Sequence, residues 1–242
     1  MYSTYCQYDY PIEVFIPEMP VPKDGFPVIF VLDGHRYAQM MFIAMKNQML
    51  VSEKTKVHPS IIVSVGHNQD EASNRRFYDF TAPAEQYHFP IRRGKAMEPV
   101  PVGGAADFQQ FFIHELIPYI CDKYDVNRAR FSLYGHSLGG LFSLWCYLTE
   151  PNLFEKYVAI SPSVWWNNHD LLRILHENKE KSVTPVAIFV GGDEGDMVDD
   201  AMTFYNHRLA ANLPVQFYVA LEENHASVIP ATLSRALRFI SS

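Results

Sequence analysis

A serine lies between glycines at the point where a predicted strand gives way to a predicted helix. The residues from Gly135 to Gly140 read Gly-His-Ser-Leu-Gly-Gly. The largely apolar residues 130–134 predict a short buried strand, and residues 141–148 predict a buried helix. A serine on so sharp a turn needs small neighbours, because side chains there would collide with the adjoining strand and helix. We therefore predict that Ser137 is a nucleophile whose hydroxyl stands clear of the sheet.

A histidine follows the last predicted strand. Residues 216–220 form that strand, and His225 lies just beyond it, before the last predicted helix. Where a serine occupies such a turn, its acid and its histidine follow it along the chain, each after a strand. His225 is therefore the predicted base, which takes the proton of Ser137 and returns it to the leaving group.

The strand before that one is followed by carboxylates. Residues 186–190 are apolar, and Asp193, Glu194 and Asp196 come directly after them. A carboxylate there would orient the imidazole ring of His225 and stabilise its protonated form. Spacing alone does not choose among the three carboxylates. The acidic order of a calcium loop is absent from this stretch, so we expect no metal, and we expect no cofactor.

Two main-chain amides would have to stabilise the oxyanion that forms when the serine attacks a carbonyl group. The amide of Leu138, directly after the serine, is the first candidate. The second lies after the apolar residues 27–32, where Gly34 permits a turn that aims the amide of His35 inward. A plain Asp-Gly turn at the end of that strand is the alternative interpretation.

The other histidines have different expected roles. His136 adjoins Ser137, but neighbouring residues on such a turn point apart, so we expect His136 to pack or to bind substrate. His114, His176 and His207 lie in predicted helices, where we expect structural or surface positions.

Strand-like and helix-like segments alternate along the chain. This alternation predicts an α/β fold with a mostly parallel central sheet and helices on both faces. Residues 12–16 alternate as an edge strand does, whereas residues 27–32 and 60–65 are apolar runs typical of central parallel strands. Together with the serine turn, the pattern predicts an α/β-hydrolase fold. We expect a single domain over residues 1–242, with residues 66–106 inserted as a cover loop.

Residues 66–106 interrupt the alternation and are rich in proline, glycine and aromatic residues. Segments of that length usually serve as lids or binding loops, and the aromatic residues argue against disorder. The basic residues of the segment are Arg75, Arg76, Arg92, Arg93 and Lys95. Five acidic residues balance these five basic ones, so any positive surface here is local.

Composition excludes some classes of partner. The chain has 242 residues, 48% of them hydrophobic, and a formal net charge of -7, which does not favour nucleic acid or anionic membranes. No segment reaches the roughly 18 consecutive apolar residues of a membrane span, and we expect no secretory leader. Cys6, Cys121 and Cys146 are far apart and lack metal-site spacing, which indicates a reducing compartment and a cytoplasmic protein.

Four stretches together resemble the putative-esterase branch of the α/β-hydrolases, which includes esterase D, the mycolyltransferase antigens and the ferric-siderophore trilactone esterases. They are residues 32–34 (Leu-Asp-Gly), 135–140, 160–166 (Ile-Ser-Pro-Ser-Val-Trp-Trp) and 223–230 (Glu-Asn-His-Ala-Ser-Val-Ile-Pro). The resemblance runs from about Ile12 to Ile240. It is greatest for the small cytoplasmic siderophore esterases of the bacillibactin and salmochelin type.

The resemblance implies particular roles for residues of this chain. It implies that Ser137 is the nucleophile and His225 the base. The family's Gly-x-x-Glu aligns with residues 191–194, which favours Glu194 over Asp193 as the acid.

Substrate-binding residues are also implied. Arg75 and Arg76 resemble the cationic part of the family's loop before the cover, which would meet a triply anionic ferric catecholate. Trp165 and Trp166 follow the strand that ends at Ile160. One of them stacks on an aromatic substrate or packs in the core, and Trp166 is the candidate for the substrate contact.

The expected function is therefore that of a serine esterase that cleaves carboxylic esters through an acyl-enzyme, with a ferric-siderophore trilactone as substrate. The alternatives are a broad carboxylesterase or S-formylglutathione-type thioesterase, and a non-catalytic binder that keeps the fold. The expected partner is a small-molecule ester, and the expected state is a monomer or a homodimer.

Overall fold

The strands form where the sequence has apolar or alternating runs. The structure, a computed structural model, describes residues 1–68, 72–92, 95–177 and 183–242, with side chains at all of these except 72–74, 91–92 and 95–96. In chain order the strands are β1 (Tyr2–Ser3), β2 (Tyr8–Asp9), β3 (Ile12–Phe15), β4 (Phe26–Leu32), β5 (Ile61–Val65), β6 (Ile91–Arg92), β7 (Lys95–Ala96), β8 (Val126–His136), β9 (Lys156–Ile160), β10 (Val186–Gly191) and β11 (Val215–Ala220).

Seven of these strands form the central sheet, in the spatial order β11-β10-β9-β8-β4-β5-β3. Neighbouring strands run parallel except β3, which pairs antiparallel with β5 at the edge. The inner strands β5, β9 and β10 are buried along their whole length, as expected of apolar runs between two helical layers. The predicted α/β fold with a mostly parallel sheet is confirmed.

Helices cover both faces of the sheet. In chain order they are α1 (Gly34–Met49), α2 (Ser52–Thr55), α3 (Ala72–Phe80), α4 (Ala105–Phe111), α5 (Ile117–Lys123), α6 (Leu138–Thr149), α7 (Trp166–Glu177), α8 (Asp196–Ala210) and α9 (Val228–Ser241). Buried residues of α1 and α9 form one core with the sheet, and those of α4, α6, α7 and α8 form a second core on the opposite face. The site described below lies at the edge where the parallel strands end.

A π-helical turn joins α4 to α5. It spans Phe112–Leu116, and Pro118 is the second residue of the helix that follows. Proline lacks an amide hydrogen and its ring crowds the carbonyl group four residues earlier, so a regular helix cannot continue through it. The wider π turn accommodates that mismatch.

The segment predicted as a cover loop differs from expectation because it contains the helix α3. Arg75 and Asp79 stand one turn apart on α3 and form an ion pair, which supports the helix. The Phe80 ring is buried against Phe108 and Phe142, so α3 packs onto the core. Arg93 lies outside the described residues, as do Asp70 and Glu71, and the side chains of Arg92 and Lys95 are not described.

Within the described ranges, no helix is both long enough and apolar enough to cross a membrane. The three cysteines, Cys6, Cys121 and Cys146, are free thiols.

Candidate active site

Ser137 sits in a strained turn between β8 and α6. Its backbone has φ 59° and ψ -118°, and this positive φ costs energy for a residue with a side chain. The chain passes so close to itself that a Cβ on Gly135 would lie 2.1 Å from the carbonyl oxygen of Gly139. The turn is also bound to the end of the neighbouring strand β9, because the amide of Ser137 donates to the carbonyl oxygen of Ile160 at 2.9 Å. The hydroxyl is therefore held above the sheet at the start of a helix.

His225 reaches this hydroxyl from the turn between β11 and α9. Its Nε2 lies 3.0 Å from Oγ of Ser137, within hydrogen-bond distance. The His225 side chain is 44% exposed, so a substrate can approach the pair from solvent. The two groups meet although they are 88 residues apart in the sequence.

Glu194 is the carboxylate that lies beside His225. Its Oε2 is 3.4 Å from Nδ1 of His225, a long contact. Its Oε1 accepts hydrogen bonds from the hydroxyl of Ser161 at 2.6 Å and from the amide of Gly191 at 3.2 Å. The neighbouring Asp193 is exposed. Of the carboxylates that spacing left open, the structure brings Glu194 to the histidine.

The Glu194 carboxylate is held in its ionised form. Burial alone raises its pKa, but hydrogen bonds from His225, Ser161 and Gly191, together with the His225 charge, outweigh that effect and lower the pKa below the ordinary value. The carboxylate therefore stays negative when His225 takes up a proton.

The amides predicted to receive an oxyanion belong to the first turns of two helices. Leu138 and His35 are the first residue of α6 and the second of α1, and the first amides of a helix have no partner inside it. Gly34 is required before His35, because a Cβ on it would lie 2.5 Å from Cα of Ser64. The turn into α1 is tight, since Asp33 has φ 52° and ψ 37°.

The two arginines predicted to bind substrate each pair with a buried carboxylate. Arg76 donates from Nε and Nη2 to the two carboxylate oxygens of Asp33, at 2.6 and 2.8 Å. Arg75 donates from Nε to Asp79 at 3.0 Å and stacks over the Tyr8 ring. Both guanidinium charges are thus neutralised inside the protein, and substrate binding by either arginine stays a prediction.

Trp166 lies beneath the cover segment. It is 3% exposed, and its ring packs against Phe77 and Phe89. The next residue, Asn167, binds the cover segment, because the side-chain oxygen of Asn167 accepts a hydrogen bond from the amide of His88 at 2.8 Å. An open cavity of about 840 Å³ lies between residues 83–88 and the start of α7, where residues 167–169 have positive φ and depart from helical geometry. Stacking of Trp166 on a substrate stays a prediction.

His136 does more than pack. Its Nε2 lies 2.9 Å from the carbonyl oxygen of His225, and its Nδ1 lies 3.1 Å from the hydroxyl of Tyr37. The His136 ring is buried, and its centroid is 4.5 Å from that of His225. His114, His176 and His207 make no contact with Ser137, His225 or Glu194 among the described hydrogen bonds.

Sequence reasoning missed two serines in the turn after β9. Ser163 places its hydroxyl 3.2 Å from that of Ser137, and Ser161 donates to Glu194. Ser161 has φ 42°, so the turn is strained like that of the nucleophile. One signal was available, because this turn follows β9, a parallel strand beside β8. Parallel strands end at the same edge of the sheet, so residues that follow β9 lie near Ser137.

The chain is similar to known proteins in sequence and in overall structure. The family described as Putative esterase matches residues 3–237. The chain is 36% identical to ferri-bacillibactin esterase BesA of Bacillus subtilis (strain 168) over 244 residues, which cover 95% of this chain and 84% of that protein. It is 31% identical to a siderophore enterobactin esterase of Emericella nidulans over 222 residues, covering 76% and 72% of the two chains. The crystal structure of BES protein from Bacillus cereus superposes with a TM-score of 0.89 at 37% identity, covering 100% of this chain and 94% of that one.

Proposed function

Because the chain belongs to the putative esterase family, we propose that it is a siderophore esterase whose nucleophile is Ser137. The protein is an esterase, and the proposal adds its mechanism and its substrate class. The distance of 3.0 Å between Oγ of Ser137 and Nε2 of His225 carries the mechanism. The substrate class is supported by two relatives that are named as siderophore esterases.

The first half of the proposed reaction forms an acyl-enzyme. His225 Nε2 takes the hydroxyl proton while Oγ of Ser137 bonds to the ester carbonyl carbon. The amides of Leu138 and His35 donate to the resulting oxyanion. When the tetrahedral intermediate collapses, the carbon–oxygen ester bond breaks, and the departing alkoxide takes the proton from His225. Glu194 stabilises the imidazolium between these two transfers.

The second half of the reaction restores the enzyme. His225 takes a proton from water as the water oxygen bonds to the acyl carbon, and Oγ of Ser137 leaves with that proton. The products are a carboxylic acid and an alcohol. In a trilactone the two stay joined through the rest of the ring, so one turnover linearises the substrate.

A second candidate is a broad carboxylesterase or an S-formylglutathione-type thioesterase, whose substrates lack the triple negative charge of a ferric catecholate. It is favoured by one observation, namely that Arg75 and Arg76 are occupied by Asp79 and Asp33. A site for a triply anionic ligand would gain from free cations, and these two guanidinium groups already have partners.

The test compares kcat/KM for a ferric catecholate trilactone with kcat/KM for a short-chain nitrophenyl ester and for S-formylglutathione. We expect the trilactone to be the best substrate, and Ser137→Ala to abolish hydrolysis of all three while the fold is kept. Rapid cleavage of the nitrophenyl ester or of S-formylglutathione, without cleavage of the trilactone, would establish the second candidate. Activity that survives in Ser137→Ala would refute the mechanism.

We also propose a cytoplasmic location. The support is chemical, because three free thiols that form no disulfide suit a reducing compartment. Fractionation of cells that express the chain tests this.

A further inference from the structure

We propose that His136 and Tyr37 are positioning residues that hold the main chain of His225 at the distance from Ser137 that proton transfer requires. The inference rests on the proposed roles of Ser137 and His225. His136 precedes Ser137 in the sequence and contacts His225 in space. The dipeptide His136-Ser137 therefore carries the nucleophile and also anchors its base.

The hydrogen bonds determine which nitrogen of His136 carries the proton. The carbonyl oxygen of His225 can only accept, so Nε2 of His136, 2.9 Å away, must donate to it. A neutral imidazole has one proton, which leaves Nδ1 as an acceptor. The hydroxyl of Tyr37, 3.1 Å away, must therefore donate to Nδ1. Tyr37 thereby fixes the tautomer that lets His136 bind the main chain of His225.

The His136 ring is neutral at neutral pH. Burial, and next the nearby charge of His225, lower the pKa of His136 to about 3. The ring therefore adds no second positive charge beside His225. It provides a hydrogen bond and rigid packing.

The turn that carries His225 needs such an anchor. Its own hydrogen bonds are local, since the side chain of Asn224 accepts from the amides of Ala226 and Ser227. A second attachment, from the amide of Asp193 to the carbonyl oxygen of Glu223, lies two residues before the histidine. The bond from His136 attaches His225 itself to the last residue of β8, directly before Ser137.

A purely structural histidine would share the burial and the hydrogen bonds but not the effect on catalysis. A misplacement of about 1 Å between reacting groups can cost about a hundredfold in rate. A positioning role therefore predicts a fall in kcat without a change in KM. It also predicts rescue by a side chain that keeps a donor at the same place, as the amide nitrogen of glutamine does.

The experiment uses the full chain and two readouts, kcat on a nitrophenyl ester and the rate at which a fluorophosphonate labels Ser137. The variants are His136→Leu, His136→Gln and Tyr37→Phe. The matched control is Tyr157→Phe, which removes a buried hydroxyl that bonds the carbonyl oxygen of Glu150 at 2.8 Å. Thermal melting is recorded for each variant.

We expect His136→Leu to lower kcat and the labelling rate about tenfold to a hundredfold at constant KM. His136→Gln should recover most of that loss, Tyr37→Phe should lower kcat about threefold to tenfold, and Tyr157→Phe should leave it unchanged. In a His225→Ala background, His136→Leu should cause no further loss, because its effect is exerted through His225.

The proposal is overturned if His136→Leu and His136→Gln lose equal activity, or if His136→Leu lowers labelling further when His225 is absent. If His136→Leu does not fold, Tyr37→Phe decides, and an unchanged kcat in that variant overturns the proposal. Full activity in Ser137→Ala or His225→Ala would instead refute the proposed function, so the two failures are distinct.

Discussion

The acid is the member of the proposed triad with the weakest contact. Glu194 lies 3.4 Å from His225, and its other oxygen already accepts two hydrogen bonds. Removal of the acid from a serine triad costs less than removal of the nucleophile. We predict that Glu194→Ala lowers kcat on a nitrophenyl ester about 10²- to 10⁴-fold with KM unchanged, which steady-state kinetics will measure. Asp193→Ala is the matched control with no expected effect, and a larger loss in that variant would make Asp193 the acid.

The ionised state of Glu194 also links stability to pH. Its pKa is lowered in the folded protein, so its ionisation stabilises the fold above the ordinary glutamate value of about 4.3. This contribution is lost as the pH falls through the lower folded value. We predict that wild type is more stable than Glu194→Gln at pH 6 and that the difference shrinks below about pH 4. Urea titrations across that range measure it, and a difference that grows in acid would contradict the assignment.

Residue types and their order along the chain predicted much of the site, but not its contacts. The serine turn and the histidine after the last strand follow from the order of strands, which the sequence pattern makes visible. The choice of Glu194 over Asp193 depends on where one turn points each side chain, and spacing does not decide that. The partner of Arg76 is 43 residues away in the sequence, so its pairing with Asp33 could not be predicted from local pattern.

At the scale of elements, one ion pair joins α3 to the turn that opens α1. Asp33 is fully buried and the side chain of Arg76 is 14% exposed, so loss of the arginine leaves a buried charge unpaired. We predict that Arg76→Met destabilises the protein by about 3 kcal/mol in urea unfolding, and that Asp33→Asn in the same chain restores part of it. The reason is that the amide carries no charge that needs a partner.

The control for that prediction is an arginine in an exposed ion pair. Arg173 is 58% exposed beside Asp170, so Arg173→Met should cost less than about 1 kcal/mol. If both substitutions cost the same small amount, the pair of Arg76 and Asp33 does not support the fold, and Arg76 would be available to a substrate as first predicted.

The helix α3 shows why the cover segment was the least predictable element. It has only nine residues and is polar on average, so it is shorter than the stretch over which apolar periodicity usually identifies a helix. The ion pair of Arg75 with Asp79 and the burial of Phe80 supply the stabilisation instead. The ion pair is local to α3, but the burial of Phe80 against Phe108 and Phe142 depends on tertiary contacts, which a local pattern does not contain. The strands were predictable because burial on two faces imposes continuous apolar runs.

At the scale of the whole molecule, the parallel sheet explains why distant residues meet. Ser137, Glu194 and His225 follow β8, β10 and β11, whose carboxyl ends share one edge of the sheet. The turn after β9 lies between them and contributes Ser161 and Ser163. The order and direction of these strands confirm the fold class, and the family model over residues 3–237, with the relatives, confirms the family resemblance.

The charge of the whole molecule bears on the substrate. A net charge of -7 repels a triply anionic ferric catecholate, and the charges of Arg75 and Arg76 are neutralised by Asp79 and Asp33. Raising the ionic strength from about 0.01 M to about 0.1 M shortens the screening length from about 30 Å to about 10 Å. We predict that kcat/KM for the ferric trilactone then rises about twofold to fivefold, whereas that for a neutral nitrophenyl ester stays constant. The opposite result, a fall with salt for the trilactone alone, would reveal a positive surface that guides the substrate to Ser137.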